Sequence, residues 1–370
     1  MSLPSIKIPF TGPLPPAIIT PASASTVAGA IDAITTFFTS SPAGGHKKKE
    51  KTVVLTGAGI SVESGLSDYR GENGTYIRNK SYRPIFFHEF LRRHESRQRY
   101  WARSFFGWPV LEKARPNEMH LAIGTLGEKG YVSSVITQNV DSFHAMAHPE
   151  LPTVELHGYL RSVVCTTCRN RFPRDEFQRA LARLNPSWTQ YLREMLESGA
   201  LDTYDRTEQQ RKGLKMNADG DVDLAQAPYS TFRYPACPTC LEDGTRALVQ
   251  VDGDGAWLPS SADAGILKPA VVMFGENVDP MVKLAAEEAV DAADKVLVVG
   301  SSLATYSAWR LVEKAHKRGM PIAVINVGGV RNESVLFDPP RQRTNLQVRC
   351  SLKSEWILPV VSQLLDRTVP

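Results

Sequence analysis

Four cysteines stand in two C-x-x-C pairs, Cys165-Thr166-Thr167-Cys168 and Cys237-Pro238-Thr239-Cys240. Two such knuckles supply four thiolates, the tetrahedral donor set of a structural zinc. The insert 169–236 between them is longer than usual, but each knuckle fixes its own geometry and a long loop adds little closure entropy. With all four positions filled by Cys165, Cys168, Cys237 and Cys240 no position is open to water, so this zinc should hold structure rather than react. Cys350 stands alone, and an odd number of cysteines argues for a metal site in a reducing compartment over a disulfide framework.

Two further segments could bind or react. Gly57-Ala58-Gly59-Ile60-Ser61 directly follows the β-rich run Thr52-Val53-Val54-Leu55. Glycines there let backbone N–H groups approach a pyrophosphate at a helix start. The next glycine, Gly65, comes too late for the dehydrogenase spacing, so taken alone the segment is equally a tight turn without a ligand. Thr137-Gln138-Asn139-Val140-Asp141 ends a second apolar run, where doubly wound folds bind ligands, and Leu156-His157-Gly158 follows. A histidine beside such a polar cluster suits general-base work near neutral pH, although a lone His157 is more often a hydrogen-bonded core residue. The acidic run Asn217-Ala218-Asp219-Gly220-Asp221-Val222-Asp223 is no calcium loop: its glycine sits at position four and Pro228 stands where a bidentate Glu is needed. It reads as a solvated acidic turn.

These residues need a scaffold. Continuous apolar runs at Thr52-Val53-Val54-Leu55, Ser134-Val135-Ile136-Thr137, Ala270-Val271-Val272-Met273-Phe274, Val296-Leu297-Val298-Val299 and Ile322-Ala323-Val324-Ile325 predict a parallel sheet covered on both faces. Helical spacing over 282–293 and 307–317 gives the strand–helix alternation of an α/β, Rossmann-like doubly wound fold. Residues 78–114 read as a helical module, rich in Arg and aromatics, and 161–265 as a smaller zinc-ribbon and helical domain. The large domain is then 46–77, 115–160 and 266–370. Residues 1–45 carry Lys7 and Asp32 as their only charges and many prolines. They read as a largely disordered extension, disordered over 1–24, with a docked helix over 26–38 and a basic entry at His46-Lys47-Lys48-Lys49.

The 370 residues carry 43 basic and 39 acidic side chains, a net charge of +4, which does not argue for nucleic-acid binding. No apolar run approaches the roughly 18–20 residues of a membrane span. The expectation is a monomer with no membrane and no sequence-specific nucleic-acid partner.

The ordered set G-A-G-I-S-x-x-S-G (57–65), D-Y-R (68–70), T-Q-N-V-D (137–141), L-H-G (156–158), paired C-x-x-C, F-G-E (274–276), G-S-S-L (300–303) and I-N-V-G (325–328) resembles the sirtuin family of NAD-dependent protein lysine deacylases. The resemblance runs from about residue 50 to 350. The segments Arg97-Gln98-Arg99-Tyr100-Trp101-Ala102-Arg103, Gly107-Trp108-Pro109 and Leu184-Asn185-Pro186 with Trp188 resemble in particular the mitochondrial class II members. It implies NAD and zinc as cofactors. It implies NAD contacts from Gly57, Ala58, Gly59, Ile60 and Ser61 at the pyrophosphate, and from Asp68, Tyr69 and Arg70 in a mobile cofactor loop. Gln138, Asn139, Val140 and Asp141 would serve the nicotinamide side. Gly300, Ser301, Ser302, Asn326, Val327, Gly328 and Cys350 would hold the adenosine half. His157 and Asn139 would be catalytic, and Val272, Phe274 and Gly275 would meet substrate. Ser67 and Met273 depart from the family pattern, bearing on the cofactor loop and the acyl tunnel.

The implied reaction moves an acyl group from lysine to ADP-ribose and releases nicotinamide, with acylated histones or metabolic enzymes as partners. Tyr100 and Arg103 share a helical face, and their pair resembles the carboxylate-reading Tyr-x-x-Arg of acidic-acyl relatives. A solvated basic face is the alternative, because Arg92, Arg93, Arg97 and Arg99 crowd the same stretch. Two other readings stay open: mono-ADP-ribosyl transfer at the same NAD site, and a non-enzymatic NAD-sensing zinc-ribbon module. The expected compartment is the mitochondrial matrix, with nucleus or cytoplasm as alternatives, since the N-terminal stretch is acid-poor but lacks Arg.

Overall fold

In the computed structural model the described residues are 13–40, 50–72, 74–80, 82–201, 214–224, 227–243, 248–259, 263–338 and 346–367. They form two compact units: residues up to 77 with 115–157 and 278 onward, and residues 78–114 with 158–277.

The first unit is built on six strands: β1 (Thr52–Thr56), β2 (Val132–Thr137), β3 (Thr153–Glu155), β4 (Lys295–Val299), β5 (Ile322–Ile325) and β6 (Gln347–Cys350). All pair in parallel, in the order β6-β5-β4-β1-β2-β3. Alternate side chains serve two cores. Val54, Val135, Leu297, Val299, Ala323 and Ile325 join one cluster, whereas Val53, Leu55, Ile136, Val296, Val298 and Val324 join the other. Both faces are therefore covered, as the unbroken apolar runs require. Chain order reverses between β1 and β4, which makes the carboxyl ends of these two strands the switch point where doubly wound sheets bind ligands. Thr56 lies opposite both Val299 and Thr137, so the three loops that follow β1, β2 and β4 leave the sheet at one level.

Helix signals are local. Thr26 accepts from the Gly29 N–H (3.1 Å) and starts helix Val27–Thr39. That helix buries Ala30, Ala33, Ile34, Phe37 and Phe38, the stripe of an amphipathic helix. Its last carbonyls, which have no helical partner, receive bonds from buried Lys295, whose Nζ donates to Phe37 O at 2.7 Å and pairs with Glu50 at 2.8 Å. Asp279 caps helix Pro280–Asp291 through the Met281 N–H, with Pro280 in the first turn.

The second unit carries helices Phe87–Arg92 and His94–Lys113 and a three-stranded antiparallel sheet in which Gly158–Cys165 lies between Leu267–Val271 and Arg171–Pro173. The insert contributes helices Arg174–Leu184 and Pro186–Glu197 and the hairpin Leu214–Met216/Val222–Leu224. No helix among the described residues is long and apolar enough to cross a membrane.

Three expectations need correction. The run 270–274 is not a strand of the parallel sheet; Leu267–Val271 pairs antiparallel in the second unit, on one side only. Pro269 lacks an N–H and suits that edge. The segment 13–24, expected to be disordered, is ordered by backbone pairing with β6, where Thr20 and Arg349 exchange bonds of 3.2 and 2.6 Å. The acidic turn 217–223 is not solvated: Asn217 is 3% and Asp221 6% exposed. Residues 1–12 and the basic entry 46–49 lie outside the described residues.

Candidate active site and metal centre

At the switch point the turn after β1 lies on the turn after β4. The Gly59 N–H donates to Gly300 O at 2.9 Å, and a Cβ on Gly59 would stand 2.9 Å from both Cα and O of Gly300. Only glycine permits that approach. The chain then winds as a 3-10 helix, Ala58–Ser64, which ends on left-handed Gly65.

The loop after β2 ties this cradle together. Asn139 Nδ2 donates to Gly57 O and to Ser61 Oγ, both at 3.1 Å. Ser61 Oγ donates to Asp141 Oδ2 at 2.7 Å, and the Phe143 N–H to Asp141 Oδ1 at 3.0 Å. Burial raises the Asp141 pKa, opposed by these two bonds. Gln138 Nε2 donates to Ser301 Oγ at 2.7 Å, while its Oε1 accepts from Thr305 at 3.1 Å.

His157 is held from both sides. Its Nδ1 lies 3.0 Å from Gln138 O and its Nε2 2.8 Å from Ser307 Oγ. A carbonyl only accepts, so Nδ1 carries the proton and Nε2 the lone pair. Burial lowers the His157 pKa, with the Gln138 carbonyl opposing. The ring is therefore neutral near pH 7 with its basic atom defined.

Farther along the same edge, Asn326 N–H donates to Cys350 O at 3.2 Å and Gly328 N–H to Ser351 Oγ at 3.1 Å, while Val327 is exposed. Asp68, Tyr69 and Arg70 form a separate loop. Asp68 Oδ2 accepts from the Gly71 N–H at 3.1 Å, and the Arg70 guanidinium lies 5.0 Å from the Tyr76 ring. Burial lowers the Arg70 pKa.

In the second unit the ligand sulfurs of Cys165, Cys168, Cys237 and Cys240 all lie within 4.8 Å of one another. The Cys165–Cys240 and Cys168–Cys237 pairs are 3.7 and 3.6 Å apart. A tetrahedron with Zn–S bonds of about 2.3 Å has edges of about 3.8 Å, so the donor set fits zinc. Burial pushes the Cys240 thiol up to about 12, and Cys237 rises likewise. A bound dication is what would hold both as thiolates.

The sequence model of the Sir2 family matches residues 57–307. The NAD-dependent protein deacylase SIR4 of Batrachochytrium dendrobatidis is 38% identical over 83% of this chain and 88% of its own length. The chain belongs to the Sir2 family. The NAD-dependent protein deacylase SRT2 of Arabidopsis thaliana is 35% identical over 78% of the chain and 69% of its own length. A solved Sir2 enzyme structure matches with a TM-score of 0.55 at 23% identity, over 93% of this chain and 98% of that one. A Sir2 homologue mutant solved with ADP-ribose matches with a TM-score of 0.54 at 22% identity, over 86% and 93%.

The Sir2 residues expected to meet substrate fall in the second unit. Phe274 O accepts from the Phe87 N–H at 2.9 Å, and its ring meets Phe86 edge-on. Val272 is half-buried and Gly275 exposed. Arg103, 1% exposed, donates through Nη2 to Asp221, 2.8 Å from Oδ2 and 3.0 Å from Oδ1, with Asp223 at 4.0 Å. The carboxylate this guanidinium holds is thus the chain's own, delivered by the acidic turn. Burial raises the pKa of the Tyr100 phenol, with the charges of Asp219 and Asp221 adding to it.

Sequence reasoning passed over Thr305 and Ser307, which read as an ordinary N-cap and first-turn residue of helix Tyr306–Lys317. It also passed over Arg349, whose one available signal was a charge inside the strand run Gln347-Val348-Arg349-Cys350.

Proposed function

We propose that the chain is an NAD-dependent protein lysine deacylase that moves the acyl group from lysine to ADP-ribose and releases nicotinamide. The observation that carries this is the tautomer of His157. With Nδ1 donating to Gln138, Nε2 is a neutral proton acceptor beside the Gly57–Gly300 cradle. NAD supplies, when bound, an electrophilic ribose carbon and a nicotinamide leaving group. The chain's part is positional and basic. The turn Gly57–Ser61 would lie against the pyrophosphate; Asn139 and Asp141 hold that turn in shape; His157 Nε2, whose present partner is Ser307, would take a hydroxyl proton.

The test is acyl-peptide turnover and ADP-ribose binding by His157→Ala. Turnover should fall by about 10²–10⁴-fold with ADP-ribose binding retained. Because the folded pKa lies below the ordinary histidine value, the acid limb of kcat/KM should lie below pH 6.5. Undiminished O-acyl-ADP-ribose production would remove His157 from the base role, and transfer of ADP-ribose to protein instead would favour mono-ADP-ribosylation.

The acyl chain we propose is uncharged. An acidic chain reaching Arg103 must displace Asp221 and meet Asp223 besides. Higher kcat/KM on glutaryl-lysine than on acetyl- or crotonyl-lysine peptides would restore the acidic reading of Tyr100 and Arg103. We also infer the mitochondrial class II subclass, from the segments around Arg97, Trp108 and Trp188. The same reading makes it a monomeric matrix enzyme acting on acylated metabolic enzymes. Steady residence of the tagged chain in nucleus or cytoplasm would favour histones instead.

A further inference from the structure

The residues that follow β5 have an unusual support. Arg349 on β6 is fully buried, and each of its five N–H donors is used. Nε donates to Glu333 Oε1 at 2.6 Å and Nη2 to Glu333 Oε2 at 3.3 Å. Nη1 donates to Asn326 O at 3.0 Å and Cys350 O at 2.6 Å, and Nη2 to Gly328 O at 2.5 Å. Three of the five bonds therefore go to backbone carbonyls of the two segments expected to hold the adenosine half of NAD. Glu333, itself 1% exposed, also accepts from the Val330 N–H at 2.7 Å. A buried ion pair this completely satisfied fixes geometry more than it adds stability.

The N-terminal segment completes the arrangement. The Ile18 N–H donates to Glu333 Oε1 at 3.0 Å. Thr20 pairs with Arg349 through the backbone, and Ile18 and Ile19 pack into the cores on opposite faces of the sheet. The Pro15 carbonyl sits where Gly329 has no side chain: a Cβ there would lie 1.6 Å from Pro15 O.

We infer that residues 13–20, Glu333 and Arg349 form a brace that positions the 326–330 loop for the adenosine half of the dinucleotide, so that the N-terminal segment is part of the NAD-binding machinery. The inference rests on the reading of this sheet edge as the NAD site. Glu333 and Arg349 are positioning residues: their side chains turn the loop carbonyls inward, leaving the Asn326 side chain outside.

The test uses the full chain. Gly329→Ala unseats Pro15, and Ile18→Pro removes the amide bound to Glu333; neither alters a residue assigned to cofactor contact. ADP-ribose affinity by calorimetry should fall about tenfold in each, or about 1.4 kcal/mol. KM for NAD should rise in parallel, while kcat at saturating NAD and KM for the acyl-peptide stay within about twofold. Unchanged ADP-ribose affinity in either folded variant overturns the inference. So does a loss shared by kcat, both KM values and melting temperature, which would mark a purely structural strap. Should the wild-type chain turn over no acyl-peptide, the deacylase reading fails, and ADP-ribose affinity still decides the brace.

Discussion

Removing the Asp221 carboxylate should destabilise the second unit through Arg103 rather than through lost packing. The two side chains are 8% and 2% exposed, and the closest N–O distance is 2.8 Å. Stripping one partner from a buried pair costs about 3–5 kcal/mol, because the other charge stays buried and uncompensated. Asp223, 4.0 Å from Arg103 Nε, supplies part of the missing charge, which puts Asp221→Ala near the lower end. Asn217 Nδ2 loses its 2.7 Å acceptor as well, adding about 1–3 kcal/mol if water does not reach it. The assay is urea unfolding followed by a fluorescence probe in the second unit, on Asp221→Ala, Arg103→Met and the double variant. Asp221→Ala should lose about 4–6 kcal/mol, whereas the double variant, carrying no orphaned cation, should lose less than the sum of the singles by about 2 kcal/mol or more. A strictly additive cycle, or a loss below about 1 kcal/mol for Asp221→Ala, would refute the claim that this is a buried, mutually dependent pair.

Asp219 gives a pH prediction of opposite sign to that of most carboxylates. Burial, then the neighbouring Asp221 charge, pushes its pKa up to about 7, above the ordinary 3.8, so its contribution to stability declines as pH rises from about 4 to about 7. Asp219→Asn should therefore raise the melting temperature more at pH 8 than at pH 5, and an equal gain at both would contradict the shift. Chelation, or Cys165→Ala, should release close to one zinc per chain and lower the melting temperature, since thiolate ligation exists only in the folded state. Full stability and activity in a metal-free chain would dismiss a structural zinc.

Much of the site was legible because its chemistry is written in short segments. Gly57–Ser61, 137–141 and the cysteine pairs each stand out as candidates within five residues, and the apolar runs of β1, β2, β4 and β5 declare the sheet. What escaped notice depends on pairing across the chain. β3 and β6 are edge strands of three and four residues carrying Glu155 and Arg349, too short and polar for a periodicity signal. The 13–20 segment is ordered by backbone bonds to Arg349 and Glu333 from the far end of the chain, which composition does not encode. The acidic turn was wrongly given to solvent, because its counter-ion, Arg103, lies on a distant helix. Pro269 was the overlooked sign that its strand is an edge.

The antiparallel bridge at Thr20 has a consequence for solubility. β6 ends the parallel sheet, and the Arg349 N–H and C=O that face outward are taken by Thr20. Proteolytic nicking between residues 20 and 26 would free that edge while the sheet persists, and an open edge recruits any extended segment nearby. The nicked protein should self-associate under conditions that keep the whole chain dispersed, and an affinity tag fused close to residue 13 would carry the same hazard.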